Sequence, residues 1–297
     1  MSTYSQANFD SSRYENARPD YPSGFYCTLL DYHQSQSVKN LALDVGTGTG
    51  FVARRLLEYF ETVIATDISP TMIRKCISSS YPQNIAFVES PAEVSPAFIE
   101  TESVDLVTGA ECCHWVDHEK FFKEVHRILK PNGTLAFWFY GEPRFIEYPE
   151  ANEIYMKYTF GSHNDFINGE PFERYMGPYW EQPGRNYLRN LMNDVSVPTS
   201  MFKDIVKVDH IPNSYTNVAT DSPLLISKRM NLQQLATYMK SWSAYRSWMK
   251  DNSSRYDIVD TFIEELKSRY GWNDKATFTL EWETSYTFAR KKEENKD

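Results

Sequence analysis

The sequence is short of cysteine, of net positive charge and of long apolar runs, and each shortage removes a class of protein. Its four cysteines, Cys27, Cys76, Cys112 and Cys113, are too few and too irregularly spaced for a disulfide framework. Adjacent Cys112 and Cys113 do not readily bridge, because neighbouring Cα atoms constrain disulfide geometry. No Cys-x-x-Cys occurs, and structural zinc asks for well-spaced ligands, so no metal is expected. Reduced thiols point to the cytoplasm. No stretch of the sequence approaches the roughly 18–20 apolar residues that span a bilayer. Residues 1–22 are polar and lack the apolar segment of a secretory leader, so no membrane partner is expected. The formal net charge of −9 works against nucleic acid, which rewards Lys and Arg contacts to phosphate. An acidic ligand must therefore find local positive charge against the overall field.

What the chain has in abundance is flat side chains. Twenty Tyr, 18 Phe and seven Trp in 297 residues are more than a core alone usually requires. Between residues 40 and 140 short apolar runs alternate with amphipathic stretches. Strands are expected at 40–45, 62–66, 85–89, 104–108 and 134–140. Helices are expected at 50–60, from Ser69-Pro70 onward, and at 118–130, where Pro131-Asn132-Gly133 supplies the stop. Such alternation with short connections implies a doubly wound, Rossmann-like α/β sheet, mostly parallel and of about seven strands. Beyond residue 140 the rhythm changes. A short helix is expected at 188–192, a strand at 201–211, helices at 224–250 and 257–270, and an antiparallel closing strand at 277–290. The expected plan is one domain: an N-terminal strap and helix (1–39), a cofactor core (40–140), an aromatic, mostly helical insertion (141–275) placed to act as a lid, and the closing strand.

Asp44-Val-Gly46-Thr-Gly48-Thr-Gly50 stands where the first strand meets the first helix. Glycines there allow a tight turn and close approach of backbone to a ligand. The helix start offers free N–H groups to a carboxylate. Nicotinamide enzymes use Gly-x-Gly-x-x-Gly at this position. The Gly-x-Gly-x-Gly spacing, with an acid two residues before the first glycine, instead resembles the first motif of S-adenosylmethionine methyltransferases. Asp67 ends the second strand, where a carboxylate can accept ribose hydroxyls in either class. Ile68, Ala92, Glu93 and Glu111 follow at later strand ends, and with Asp44, Gly46, Thr47, Gly48, Gly50 and Asp67 they form the candidate cofactor set.

The substrate side is read from aromatics and arginines. Glu111-Cys-Cys-His114-Trp115 follows the fourth strand, at the edge where open α/β sheets bind ligands. The loop Gly177-Pro-Tyr-Trp180-Glu-Gln-Pro-Gly-Arg185 places Trp, Tyr and Arg around two turns, a composition suited to carboxylate recognition. Arg18, Arg189 and Arg246 are further cations that sequence does not rank. The segments RYENARPDYP, LDVGTGTG, AECCHWVD, GPYWEQPGRNYLRNLM and WSAYRSW together resemble the fungal trans-aconitate methyltransferases, to which the cantharidin methyltransferases are close. Thr47-Gly48-Thr49 departs from the Cys-Gly-Pro of the former. The resemblance implies S-adenosylmethionine as cofactor and transfer of its methyl group to a carboxylate of a small di- or tricarboxylic acid, giving a monomethyl ester. A carboxylate is already ionised at pH 7, so no general base is assigned. Under that reading Arg185 grips a carboxylate that does not react. Tyr14, Tyr21, His114, Trp115, Trp180, Trp242 and Tyr245 complete the candidate substrate set.

Overall fold

In the computed structural model of the chain the described residues are 18–33, 39–78, 82–160, 175–212, 222–252 and 256–293. The strands lie where the apolar runs predict them. β1 (Leu41–Val45), β2 (Thr62–Asp67), β3 (Ile85–Glu89) and β4 (Val104–Ala110) run parallel. β1 pairs β2 from Leu41↔Thr62 to Val45↔Thr66, and β4 from Ala42↔Leu106 to Asp44↔Thr108. Parallel neighbours need crossover helices. These are α2 (Phe51–Leu56), α3 (Pro70–Ser78) and α4 (His118–Ile128), with α1 (Ser23–His33) ahead of the first strand. β5 (Leu129–Phe145) joins β4 in parallel, and β8 (Thr277–Lys291) lies antiparallel beside it. β6 (Phe202–His210) and β7 (Ser227–Asn231) share the far edge of β8. The order is β3-β2-β1-β4-β5-β8-β6, with β7 on β8, so the sheet has eight strands rather than about seven.

Both faces of the sheet are covered, and β5 shows how. Leu135, Phe137 and Phe139 join Phe121, Phe122 and Val125 of α4 in one core cluster. The alternate residues Ala136, Trp138 and Tyr140 join the other cluster, where Phe25 of α1 meets Trp138 edge-on at 5.0 Å. Period-two alternation thus feeds two cores from one strand. The insertion packs α5 (Ala151–Phe160), α6 (Gly184–Arg189), α7 (Leu232–Met239), α8 (Ser243–Asn252) and α9 (Ile258–Tyr270) around the far end of the sheet. Its aromatics pack on one another: Tyr155 meets Trp242 at 6.1 Å and Tyr158 meets Phe262 at 5.4 Å. They are continuous with the sheet face carrying Trp138.

Four boundaries depart from the sequence reading. The expected helix 50–60 is regular only through Leu56, followed by a turn into β2. The helix expected to run to residue 130 stops at Ile128, because Leu129 is extended (φ −64°, ψ 137°) and pairs with Val104. Pro131-Asn132-Gly133 is then a bulge inside β5, where Asn132 takes φ +62° and a Cβ at Gly133 would sit 2.8 Å from the Lys130 carbonyl. The single helix expected over 224–250 is a strand and two helices. Asn231 is the divide: its side chain accepts from Gln234 N while Gln234 accepts from Asn231 N, a capping box that starts α7 there and leaves β7 before it. The helix expected at 188–192 is α6, which begins earlier, and Leu191 and Met192 at φ +55° and +51° end the turn behind it.

Among the described residues no helix is long and apolar enough to cross a membrane, and no group of three His, Cys, Asp or Glu is placed to hold a metal ion. β1 lies between β2 on one side and β4 on the other, and the strand order reverses there. That switch point, at the carboxyl ends of the strands, is where open α/β sheets form their ligand crevice.

Candidate active site

β1 delivers Asp44 to the switch point almost wholly buried, and burial lifts its carboxyl to about 6. Both oxygens are held: Thr47 Oγ1 donates to one at 2.6 Å and Thr108 Oγ1 to the other at 2.7 Å. The loop beyond turns through Gly46 (φ +62°) and Gly48 (φ +56°). At Gly46 a Cβ would lie 2.4 Å from Cys112 Cβ, so the loop and the β4 exit touch with no space for a side chain. At Gly48 a Cβ would meet nothing within 4 Å, because that face opens on the cavity. Asp67 at the end of β2 ties the loop down, accepting from Gly48 N at 2.8 Å and Ser69 N at 2.7 Å. Burial raises its carboxyl, and those two N–H groups act the other way.

The cavity measures ≈ 320 Å³ and runs from this loop to the insertion. Ile68, Ala92 and Glu93 line its outer side, and Glu93 also accepts from Asp117 N at 2.8 Å, bracing the loop after β4. Glu111, at φ +53°, lies on its floor. Tyr140 N donates to Glu111 at 2.5 Å, yet burial still pushes the acid up to about 7. His114 is buried, its Nδ1 has no partner among the described residues, and burial with Arg185 and Arg18 nearby drives it down to about 3, so it is neutral at pH 7. Trp115 stands at the rim, 40% exposed, and Gly184 makes room for it: a Cβ there would sit 2.8 Å from the indole.

Arg185 forms the opposite wall. Its Nη2 pairs with Glu142 Oε1, and its guanidinium lies 4.0 Å above the Trp180 ring and 5.0 Å above Phe160. Burial lowers it to about 10, so it stays protonated at neutral pH. Its Nε has no partner among the described residues. Arg18 also lines the cavity, its Nη1 donating to Tyr140 Oη at 3.2 Å and its guanidinium 5.8 Å from the Tyr238 ring.

The structure therefore brings together most of the predicted residues. Asp44, Gly46, Thr47, Gly48, Asp67, Ile68, Ala92, Glu93, Glu111, Tyr21, His114, Trp115, Trp180, Arg185 and Trp242 all line one cavity. Gly50 does not line it. Its φ of +81° and the 3.1 Å between an added Cβ and Phe87 make it a helix-to-strand packing position. Nor does Tyr245, whose hydroxyl donates instead to Asp257 at 2.7 Å. Tyr14 falls outside the described residues. Of the reserve arginines only Arg18 reaches the cavity, while Arg189 stacks 4.2 Å over Phe160 outside it. Sequence reasoning missed Tyr140, Glu142, Tyr155 and Tyr238. The first two lie in the C-terminal part of β5, at the carboxyl edge, and were findable by position. The others come from helices with no local motif.

The arrangement fits the cofactor expected from the sequence: a side-chain-free face at Gly48, a carboxylate at the end of β2, and an acidic floor suited to a cationic ligand. Residues 43–137 match the methyltransferase domain family. A Saccharomyces cerevisiae protein named as a probable S-adenosylmethionine-dependent methyltransferase is 34% identical over 301 aligned positions, covering 98% of this chain and 99% of its own. A methyltransferase of Aspergillus candidus is 33% identical over 210 positions, 68% of this chain and 64% of that one. A solved structure from Anaeromyxobacter dehalogenans, assigned to the type II methyltransferases, shares the fold. It has a TM-score of 0.65 at 20% identity over 92% of this chain and 97% of that one.

Proposed function

This chain belongs to the class I S-adenosylmethionine-dependent methyltransferases, and from that premise we propose that it esterifies one carboxylate of a small di- or tricarboxylic acid of the trans-aconitate kind. Asp44, Gly46, Thr47, Gly48, Asp67, Ile68, Ala92, Glu93 and Glu111 hold the cofactor in this reading. When bound, S-adenosylmethionine supplies an electrophilic methyl group, whose bond to sulfur breaks as a bond to substrate oxygen forms, with no proton transferred. The chain's own residues desolvate the acceptor carboxylate and orient it, and positioning of that kind can contribute roughly 7–11 kcal/mol. The observation that carries the reading is Arg185: a protonated, largely buried guanidinium on the cavity wall, stacked on Trp180 and Phe160. A buried Arg is the side chain best shaped to hold a carboxylate. Arg18 on the same cavity suits an acid with a second carboxylate, and a cantharidin-like dicarboxylate meets the same demand.

A second reading rests on His114. It is neutral, buried and has Nδ1 unpartnered among the described residues, so it is free to accept a proton from a hydroxyl or carbon acid during methylation, as a weak base whose affinity for a proton would have to rise with substrate bound. A labelled-methyl screen of di- and tricarboxylic acids against alcohols and phenols separates the two. Turnover of acids that survives His114→Ala supports esterification, and turnover of hydroxyl compounds alone that is lost in His114→Ala supports the alternative.

The floor also sets a pH dependence. Asp44 near 6 and Glu111 near 7 are partly protonated in the free protein, and a cation in the cavity favours their ionised forms. S-adenosylmethionine affinity, divided by that of the uncharged sulfide S-adenosylhomocysteine, is expected to rise several-fold from about pH 5.5 to about pH 8. Titration calorimetry across that range checks this, and a flat ratio would place the sulfonium away from both acids.

A further inference from the structure

Among the described residues Glu142 is the carboxylate ion-paired with Arg185, and the proposed transfer does not use it. It is 5% exposed and lines the cavity. Its neighbours explain how it comes to face inward. The β5–β8 register slips between Tyr140↔Thr284 and Pro143↔Trp282, so one extra residue is accommodated on β5 at Gly141-Glu142. Such a bulge breaks the alternation and re-aims a side chain. Tyr155 Oη then donates to Glu142 Oε2 at 3.0 Å, while Oε1 takes Arg185 Nη2. The adjacent acid Glu283 is held by Arg144 and does not line the cavity.

Resting on the carboxylate reading above, we propose that Glu142 is a specificity-determining residue that sets how much negative charge the substrate may carry. A carboxylate bound at Arg185 shares the guanidinium with Glu142, in a site where water screens little. The pair keeps Arg185 oriented through Nη2, with its guanidinium on the cavity wall. It also cancels the cation, so the wall tolerates one substrate carboxylate and resists a second beside it. Removing the Glu142 charge leaves the guanidinium stacked on Trp180 and Phe160 and raises its attraction for highly charged acids.

The test compares mono-, di- and tricarboxylates on a common carbon chain as methyl acceptors for wild type, Glu142→Gln and Tyr155→Phe. Glu142→Gln is expected to raise the ratio of kcat/KM for the tricarboxylate over the monocarboxylate by about tenfold or more. Tyr155→Phe keeps the charge and should leave that ratio within about twofold. Binding of the same acids to the S-adenosylhomocysteine complex, followed by thermal shift, should show the same order without turnover. If Glu142→Gln has no cooperative melt, Glu142→Asp draws the carboxylate back from Arg185 and should move the ratio the same way by about threefold. An unchanged or lowered ratio in whichever variant folds overturns the assignment of Glu142 alone. A wild type that methylates no acid in the panel overturns the carboxylate reading and this inference together.

Discussion

Arg185→Gln is expected to cut kcat/KM for the best di- or tricarboxylate by tens-fold or more, the effect of removing one partner from a buried charged contact, about 2–5 kcal/mol. A monocarboxylate analogue should lose much less, because it has no second charge for Arg185 to hold. S-adenosylmethionine affinity should stay close to that of the wild type. The variant carries a second effect that must be separated. Glu142, 5% exposed, loses its ion-pair partner and keeps the hydrogen bond from Tyr155, and breaking a buried ion pair from one side destabilises by about 3–5 kcal/mol. The double variant Arg185→Gln with Glu142→Gln removes both charges and should recover most of that stability without recovering activity on the polyacid. Melting curves and steady-state kinetics on the three proteins decide it. Equal losses on mono- and polyacids, or recovery of activity in the double variant, would take Arg185 out of substrate recognition and turn attention to Arg18.

Gly46→Ala should abolish tight cofactor binding, weakening it by about a hundredfold or more, a loss near 2.7 kcal/mol. Two independent penalties act on the same atom. The backbone stands at φ +62°, where an L-residue is strained by about 1–2 kcal/mol. The new Cβ would also fall 2.4 Å from Cys112 Cβ, so the loop or the β4 exit must move. The nearest opposing atom is Cβ, with the sulfur behind it at 3.0 Å, and this makes the explanation specific. Adding Cys112→Ala should bring little relief, whereas adding Cys112→Gly should restore binding in part, with the φ strain left behind. Calorimetry on the single and double variants reads this directly. Near-normal affinity in Gly46→Ala would mean that the glycine loop is not the cofactor cradle.

How far these sites were legible follows from where their information lies in the chain. The glycine loop is written locally: an apolar run that can only be a buried strand, an acid at its end, then glycines at a spacing a ligand-facing turn requires. β3 coincides with its apolar run, Ile85–Glu89, for the same reason. Gly50 was misassigned because sequence shows that a glycine is needed but not which side must be empty. Here it is Phe87 and Cys76, not the cavity, that crowd it. Arg185 was found through its loop of aromatics and turns. Its partner was not, because the bulge that turns Glu142 inward arises from pairing with β8, about 140 residues later in the chain. Tyr238 was hidden similarly. The apolar pattern over 224–250 does not reveal the Asn231 cap that divides strand from helix. Tyr245 failed for the opposite reason, since its local setting suggested a pocket while its hydroxyl is committed to Asp257.

In the proposed reaction the transferred methyl ends on a carboxylate oxygen. Incubating the protein with methyl-labelled S-adenosylmethionine and its best acid, then treating the product with mild alkali, distinguishes an ester from every other product. Hydrolysis of an ester should release the label quantitatively as volatile methanol and regenerate the free acid. Label that stays attached to the product through alkali would place the methyl on an ether oxygen, nitrogen or carbon and contradict the account.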